Sequence, residues 1–454
     1  MPHTRPYPVA GLPVEGPTGR FSAATSGLAA ALALMTAAMV VPAVAGWDVH
    51  IGFPPLFAHW MPRLGPGTVP ALAIGVLGVV YGGRLTQRLS WRPLLFVVWL
   101  GGLCWLAALA LVDGSDGLSS HIDTHDFLQV ARATDDVSRL LHEFVDRMPL
   151  GPDGWPTHVA GHPPGALLFF VLLVRLGLGG SLAVGIVVTL VASTIPVAVV
   201  STLRTLGAES SARLAAPFLV LAPAAVWEAV SADAVYAGVA AWALAALATA
   251  ATRRSATWAL VAGLLFGGCV MMSYGLPLLG FLAIAVLVVA RCYRPFGWAL
   301  TGAVAVVVAF WVAGFSLWEA FPAIHQRYWA GIARLRPASY WLWGDVAALC
   351  FSAGPVLGAA VGCWLSRVRS AWARRALPLG DVRTVMLLGG AAMLSVVAAD
   401  LSLMSKAEVE RIWLPFVPWL LVLSALLPAG WRRPALGVQV ASALVVQHLF
   451  LTGW

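Results

Sequence analysis

Charged side chains are scarce in this sequence, because Asp, Glu, Lys and Arg together make up only 11% of its 454 residues. Soluble domains contain about 25% charged residues, so a soluble globular protein is excluded. Cysteine is also rare, and the five cysteines are too scattered for a disulfide framework. The net charge of +8 is small and spread between apolar runs, which argues against a nucleic-acid-binding protein.

Apolar residues dominate instead, at 60% of the chain, with a mean hydropathy of +0.85. At about 20 residues for each membrane-crossing helix, this composition predicts an all-α polytopic transmembrane protein with about 12–14 spans. Residues 1–20 are predicted to form a disordered cytoplasmic tail, and residues 21–454 a single transmembrane domain. The apolar run at 21–46 exceeds the length of a signal-peptide core and is interpreted as an uncleaved anchor.

The basic residues alternate between two sets of loops, with 18 in one set and nine in the other. Because cytoplasmic loops carry the excess of Lys and Arg, the richer set and the N-terminus are predicted to face the cytoplasm. The protein is therefore placed in the cell membrane. Its extracytoplasmic loops are predicted at 47–66, 113–161, 315–345 and 401–411.

The apolar stretch at 163–203 joins an outer loop to an inner one, so it must cross the membrane an odd number of times. The sequence RLGLGG at 175–180 interrupts this stretch. We expect a short helix that begins at Pro163 and dips into the outer leaflet, followed by one full crossing.

The loop at 113–161 contains nine of the chain's 20 acidic residues and four of its ten histidines, and a fifth histidine, His162, follows directly after it. A loop of this length within a compact protein is usually functional or disordered. Residues 126–148 have one-sided apolar spacing, which predicts an amphipathic helix lying at the outer membrane interface. Two short motifs flank that segment: HIDTHD at 121–126 and HVAGHPPG at 158–165.

The histidines of these motifs allow more than one interpretation. Both motifs have an H-x3-H spacing, but neither contains the H-E-x-x-H sequence of zinc peptidases. An Asp/His cluster can hold a divalent cation weakly, and the same histidines can simply cap helices or form hydrogen bonds. Metal dependence is therefore left open.

At these motifs the chain resembles the GT-C superfamily of integral-membrane glycosyltransferases, which use polyprenyl-phosphate sugars on the outer membrane face. Those enzymes carry an acidic residue in their main outer loop and a His/Lys-Pro-Pro-type motif at the start of the next transmembrane helix. The corresponding sequences here are Asp126-Phe127-Leu128 and His162-Pro163-Pro164-Gly165. The arginine-rich composition and the sequence ERIWL at 410–414 resemble actinobacterial mannosyl- and pentosyltransferases of the cell envelope, including the methylthioxylosyltransferase type.

The resemblance implies a glycosyltransferase that moves a pentose or hexose from a polyprenyl-phosphate donor to an envelope glycan or glycolipid such as lipoarabinomannan. Asp126 is the first candidate for the base that deprotonates the acceptor hydroxyl, and Asp123 is the second. Many relatives carry the acidic residue directly after the first span, whereas an extra hairpin at 21–83 precedes the loop here. Asp48 is therefore a rival catalytic acid, and Asp113 is a weaker one.

The remaining candidates are assigned by charge and position. His162, at a helix N-terminus, and Arg411 are expected to stabilise the leaving phosphate. Other donor-phosphate or lipid-binding candidates are Lys406, Arg327, Arg334 and Arg336. Sugar- or acceptor-binding candidates are His125, His158, Glu410, Asp233 and Trp341. The alternative interpretations are an interfacial helix in loop 315–345 and a snorkelling side chain at Arg411.

Two other functions stay open. A polymerase or ligase of envelope glycans would have the same organisation. A transporter or flippase would need charges near the bilayer midplane and broken helices in matched halves. The expected partners are a membrane lipid donor and a glycan acceptor, with no nucleic acid, and the oligomeric state is not indicated.

Overall fold

The computed structural model describes residues 17–124, 126–376 and 378–453, and α-helices form most of this part of the chain. The helices of the first half are α1 (Pro17–Ala45), α2 (Thr68–Leu77), α3 (Gly83–Arg88), α4 (Trp91–Ala110), α5 (Ser120–Thr124), α6 (Asp126–Arg132), α7 (Val137–Glu143), α8 (Thr157–Ala160), α9 (Pro164–Arg175), α10 (Ser181–Ser193), α11 (Ile195–Thr205) and α12 (Glu209–Val220).

The second half continues in the same way, and a two-stranded antiparallel sheet joins its end to the first outer loop. Its helices are α13 (Ala225–Glu228), α14 (Ala232–Arg253), α15 (Ala256–Met272), α16 (Leu279–Ala290), α17 (Pro295–Val312), α18 (Leu317–Ala330), α19 (Ala338–Ser352), α20 (Val356–Arg374), α21 (Gly380–Leu401), α22 (Val409–Ile412), α23 (Val417–Leu421) and α24 (Ala429–Leu449). The strands are β1 (Ala58–Trp60) and β2 (Phe450–Thr452).

Seven helical segments of the described residues are long and apolar enough to cross a membrane. They are Phe21–Ala45, Thr68–Arg88, Trp91–Leu118, Ser181–Thr205, Ala232–Arg253, Pro295–Val312 and Gly380–Leu401. Helices α19 and α20 form a further pair that bends by 108° at a short break. The all-α, membrane-type architecture is thus confirmed.

Fewer helices are long enough to cross than the 12–14 predicted. Four apolar segments fold as shorter helices: Pro164–Arg175, Ala256–Met272, Leu276–Ala290 and Val417–Leu426. Sequence hydropathy counts an apolar run whether or not the backbone bends inside it, so it overestimates the number of long helices. Residues 17–20, predicted as the end of a disordered tail, form the first turn of α1, and residues 1–16 lie outside the described part of the chain.

The division expected within residues 163–203 is present. Helix α9 is short and begins with Pro164 at its first turn, where the missing N–H of proline removes no helical hydrogen bond. The chain breaks after Arg175, and α10 and α11 then form one long apolar segment.

The loops sort into two ends of the molecule, in the same grouping as the arginine count predicts. At the arginine-rich end, which contains loops 84–92, 204–213 and 367–383, the guanidinium of Arg213 donates to the carbonyl oxygens of Thr86 and Leu89. The carboxylate of Asp381 accepts a hydrogen bond from the backbone N–H of Ser211.

The acid-rich end contains the other four loops, 47–66, 113–161, 315–345 and 401–411. Arg63 of the first loop pairs with Asp113 of the second. The side chain of Arg327 in the third loop donates to the carbonyl oxygen of Trp155 in the second, at 2.9 Å. Arg336 donates to the carbonyl oxygen of Lys406 in the fourth loop, at 2.7 Å.

The prediction of a single amphipathic helix at residues 126–148 is wrong, because the segment forms two short helices. Helix α6 ends at Arg132, and the side chain of Asp136 caps a new helix, α7, by accepting hydrogen bonds from the N–H groups of Ser138 and Arg139. A capping aspartate favours a helix start over a helix interior, which explains the break. The apolar side chains of both helices, including Phe127 and Leu140, are buried within the protein.

Close approach of two helix pairs depends on glycine. A Cβ atom on Gly27 of α1 would clash with the carbonyl oxygen of Gly358 in α20, and one on Gly263 of α15 would clash with the carbonyl oxygen of Ala299 in α17. Small residues at such contacts let helix backbones pack directly, which is typical of membrane proteins.

Three helices end at an arginine in the left-handed conformation. Arg254, Arg291 and Arg375 follow α14, α16 and α20 with φ values of 54°, 50° and 48°. In each case the next N–H closes the helix end, for example from Ser255 to the carbonyl oxygen of Ala250 at 3.1 Å. This is the Schellman motif, in which glycine normally occupies the left-handed position.

We expect Arg254→Gly to stabilise the protein, because a left-handed L-residue costs about 1–2 kcal/mol that glycine avoids. Arg253→Gly is the matched control, since Arg253 is the last helical residue of α14 and glycine is about 1 kcal/mol less favourable there. Thermal unfolding in detergent should show a higher midpoint for the first variant and a lower one for the second. Shifts in the same direction for both would contradict this account.

Candidate functional site

A narrow cavity at the acid-rich end collects residues from four distant segments of the chain. Its volume of about 10 Å³ is room for about one water molecule. The lining residues are Ile122, Phe127, His158, His162, Ser231, Ala232, Asp233 and Arg411. Three predicted motifs, HIDTHD, HVAGHPPG and ERIWL, thus contribute directly to one site.

Asp126 borders this cavity through its contact with the second motif. The half-buried carboxylate of Asp126, at the first position of α6, accepts a hydrogen bond from the backbone N–H of His158 at 3.2 Å. This bond ties the start of α6 to the start of α8, so the predicted base and the His-Pro-Pro motif lie next to each other.

The ring of His162 has a defined tautomer. Its Nδ1 atom lies 2.8 Å from the carbonyl oxygen of His158, which can only accept, so Nδ1 carries a proton and donates it. Burial lowers the pKa of His162, against an opposing effect of Asp233. The neutral ring then has its lone pair on Nε2. His162 was predicted to stabilise a leaving phosphate, but in this state it presents a proton acceptor.

Aromatic side chains hold the His162 ring in place. The ring centres of Phe127 and Tyr236 lie 5.7 Å and 5.5 Å from that of His162. Phe127 in turn stacks on Phe170 of α9 at 5.4 Å. The ring orientation is therefore set by α6, α9 and α14 together.

Arg411 occupies the opposite wall, between two carboxylates. Its Nη1 lies 2.8 Å from Oδ2 of Asp233, and its Nη2 lies 2.8 Å from Oε2 of Glu408. The side chains of Arg411 and Asp233 are only 6% and 7% exposed. Burial alone would lower the pKa of Arg411, but the two carboxylates raise it above its usual value.

This arrangement changes the role expected of Arg411. Each terminal nitrogen of the Arg411 guanidinium binds a protein carboxylate, and Arg411, Asp233, Glu408 and the adjacent Arg336 together carry no net charge. Arg411 therefore orients Asp233 on the cavity wall and does not present a bidentate grip to phosphate. The snorkelling interpretation is also wrong, because the side chain is buried.

Local sequence explains the position of Asp233. Ser231 caps α14, and its hydroxyl accepts a hydrogen bond from the N–H of Ala234. Asp233 lies in the first turn of α14, where the helix dipole favours a negative charge. The carboxylate is thus stabilised both by the helix terminus and by Arg411.

The charge chain continues into loop 315–345. Nη2 of Arg336 lies 3.5 Å from Oε1 of Glu408, which gives the alternating sequence Arg336, Glu408, Arg411, Asp233. Lys406 also binds this loop, since its Nζ donates a hydrogen bond to the carbonyl oxygen of Arg336 at 2.8 Å. Arg336 and Lys406 are both buried, so these two candidates stabilise the contact between loops 315–345 and 401–411 next to the Asp233–Arg411 pair.

The turn that carries Glu408 has a strained backbone. Ala407 and Glu408 have φ values of 70° and 63°, in the left-handed region that non-glycine residues rarely adopt. The N–H of Ala407 donates to the buried carboxylate of Asp345 at 3.0 Å. Strain of about 1–3 kcal/mol per residue persists only where the surroundings enforce it, and such residues are frequent at functional sites.

Glu410 does not pair with Arg411. Its side chain is fully buried, and Oε1 accepts a hydrogen bond from the N–H of Phe57 at 2.9 Å. Among the described residues, Oε2 has no hydrogen-bond partner. Burial raises the pKa of Glu410 to about 7.

Several other candidates have structural partners away from the cavity. Asp123 pairs with Arg132 at 2.9 Å, and Asp48 is exposed beside His50. Trp341 is fully buried and donates to the carbonyl oxygen of Val49, so its indole packs the fold and presents no face to a sugar.

Among the basic candidates of loop 315–345, Arg327 donates to carbonyl oxygens of loop 113–161, including that of Met148. Burial lowers its pKa, opposed by the nearby Asp126. Arg334 is exposed and makes no ion pair with any residue that the structure describes. His125 lies outside the described residues.

No group of three or more His, Cys, Asp or Glu side chains that could hold a metal ion occurs within residues 17–124, 126–376 and 378–453.

Sequence reasoning missed Glu408 and Tyr236. Glu408 lies three residues before Arg411, a spacing that favours an ion pair on one helical turn and could have identified it. Tyr236 lies three residues after Asp233 and therefore on the same face of α14, which could have indicated it.

No protein-family model matches this chain, and no curated protein matches it.

We expect Arg411→Gln to destabilise the protein strongly, because breaking a buried ion pair from one side costs about 3–5 kcal/mol. Arg334→Gln, at an exposed position of the same end, should change stability by less than about 0.5 kcal/mol. Thermal unfolding in detergent measures both.

A double variant tests the ion pair itself. Asp233→Asn combined with Arg411→Gln leaves one fewer uncompensated charge than Arg411→Gln alone, so it should unfold at a higher temperature than that single variant. Simple addition of the two single effects would show that Arg411 and Asp233 are not coupled.

Proposed function

We propose that this protein is a GT-C-like glycosyltransferase that acts on the outer face of the cytoplasmic membrane. It moves a sugar from a polyprenyl-phosphate donor to a cell-envelope glycan or glycolipid such as lipoarabinomannan. One observation carries the proposal: His162 and the Asp233–Arg411 pair line one cavity of the acid-rich end, and Asp126 lies beside it, bonded to the backbone of the lining residue His158.

The chemistry requires a base, and two groups at the cavity can serve. The acceptor hydroxyl oxygen forms a bond to the anomeric carbon, the bond from that carbon to the donor phosphate oxygen breaks, and the hydroxyl proton passes to the base. Asp126 is the base in this proposal, since its carboxylate is half-buried beside the cavity. The neutral ring of His162, with its lone pair on Nε2, is the second proton acceptor.

The donor phosphate needs a positive partner that is not already neutralised. Arg411 holds two carboxylates, and Lys406 donates to a backbone carbonyl oxygen and contacts the ring of Trp329. Arg334 is exposed and free of ion pairs to the described residues, so we assign the phosphate contact to Arg334. A polyprenyl-phosphate headgroup would approach this loop from the membrane surface.

A cavity with room for one water cannot contain a sugar, so the site widens before the donor binds. The short helices α6 and α8 form one wall, and the Asp126 contact with His158 joins them. Closure of such a wall over bound substrates would exclude water from the reacting atoms.

A transporter is the second candidate, and one observation favours it. Buried ionisable groups, including Asp345 and Glu410, accompany the Arg411 cluster, and α19 bends sharply into α20. Buried charges and broken helices are typical of transport pathways. A polymerase or ligase of envelope glycans would use the same site as the transferase.

Asp126→Asn should abolish glycosyl transfer, because the amide keeps the hydrogen bond to His158 but cannot accept the hydroxyl proton. General-base catalysis contributes about 10²–10⁴-fold, which sets the expected loss. The measurement is mass analysis of envelope glycolipids from a deletion strain complemented with each variant. The strain should lack one sugar, which the unmodified protein restores and Asp126→Asn does not.

Asp48→Asn is the matched control, because it also removes one carboxylate from the acid-rich end and should restore the sugar. The opposite result for the two variants would move the base to Asp48. If the deletion strain lacks no sugar, and proteoliposomes show substrate movement without a new glycosidic bond, the protein is a transporter.

A further inference from the structure

A second, larger cavity lies at the arginine-rich end, on the far side of the protein from Asp126. It has a volume of about 540 Å³ and lies between the last turns of α20 and the first half of α21. Its lining residues are Val368, Ala371, Trp372, Arg375, Ala376 and Met386. We refer to these six residues as the α20 groove.

The walls of the α20 groove are apolar, and its edge is aromatic. Val368, Ala371 and Met386 offer only hydrocarbon and thioether surface, which favours an acyl chain. Trp372 is 85% exposed, which is unusual for an indole unless it lies in the headgroup region of a membrane.

The mouth of the α20 groove is positively charged. Arg375 lines it directly, and Arg369 and Arg374 lie on the same last turns of α20. All three are exposed, and none makes an ion pair with a residue in the described part of the chain. The nearest acidic residue in sequence, Asp381, is engaged by Ser210 and Ser211.

These features together define the occupant. A volume of this size is typical of ligand sites, which run to several hundred Å³. Apolar walls suit acyl chains, uncompensated arginines suit a phosphate, and an exposed tryptophan suits the interface between the two. Basic pockets between transmembrane helices bind anionic lipid headgroups in this way.

We propose that the α20 groove binds an anionic phospholipid, with Arg375 and its neighbour Arg374 on the headgroup phosphate and the acyl chain against Val368, Ala371 and Met386. The site is separate from the cavity at Asp126 and Arg411. It holds whether the protein is a transferase or a transporter.

The test uses native mass spectrometry of the full-length protein in detergent, titrated with phosphatidylglycerol or phosphatidylcholine. We expect phosphatidylglycerol to bind the unmodified protein and to raise its thermal midpoint more than phosphatidylcholine does. Arg374→Gln/Arg375→Gln should weaken binding of phosphatidylglycerol by about tenfold or more, since each basic residue at a membrane surface contributes appreciably to anionic lipid binding.

The chain offers a matched control in Arg253→Gln/Arg254→Gln. These two arginines also end a helix, the second one in the same left-handed conformation as Arg375, but they do not line the α20 groove. This variant should bind phosphatidylglycerol as the unmodified protein does. Equal weakening in both double variants would overturn the proposal, because net charge alone would then explain the binding.

The apolar half of the site is tested by Trp372→Ala. The side chain is largely exposed, so the variant should fold, yet it removes one wall of the α20 groove and should reduce the lipid adduct. Unchanged lipid binding in Trp372→Ala would overturn the groove as the binding site. If sodium phosphate raises the thermal midpoint as much as phosphatidylglycerol, the ligand is a free anion and the lipid assignment is wrong.

Discussion

A charge removed from water must have its partner inside the protein, and the ion pair between Arg411 and Asp233 meets that constraint at the centre of the acid-rich end. Arg411 belongs to the short helix α22, and Asp233 to the first turn of the long helix α14. Their contact fixes the position of α22, and through Glu408 it reaches Arg336 and loop 315–345. The cavity wall, the strained turn at 407–408 and loop 315–345 are therefore all linked to one guanidinium.

The two ends of the molecule treat their charges differently. At the acid-rich end, Arg327, Arg336 and Arg411 turn inward and hold carboxylates or backbone carbonyl oxygens, whereas Arg334 is exposed. At the arginine-rich end, the arginines that follow α14 and α20 are exposed and make no ion pair with described residues. Buried charge builds a site of fixed geometry, whereas exposed charge stays available to the membrane surface.

The scarcity of charged residues made part of the site predictable from the sequence. In a chain with so few charges, Asp126, His162, Asp233 and Arg411 were each conspicuous. The structure brings His162, Asp233 and Arg411 to one cavity and places Asp126 beside it, bonded to the backbone of His158. Their exact partners were not predictable, because pairing depends on backbone conformation. Two consecutive left-handed residues turn Glu408 towards Arg411 and leave Glu410 facing Phe57. The aspartate cap at Asp136 likewise divided a segment that periodicity alone presented as one helix.

The left-handed arginines that follow α14, α16 and α20 have different consequences for the folded protein and for its insertion into the membrane. In the folded protein glycine would be the easier residue at each of these positions, so the arginines are not there for helix termination. Positive charge beside an apolar segment acts earlier, when the segment is oriented during insertion into the membrane. Arginine at these positions therefore costs a little stability in the folded protein, while its charge is of the kind that favours one direction of insertion for the neighbouring apolar segment.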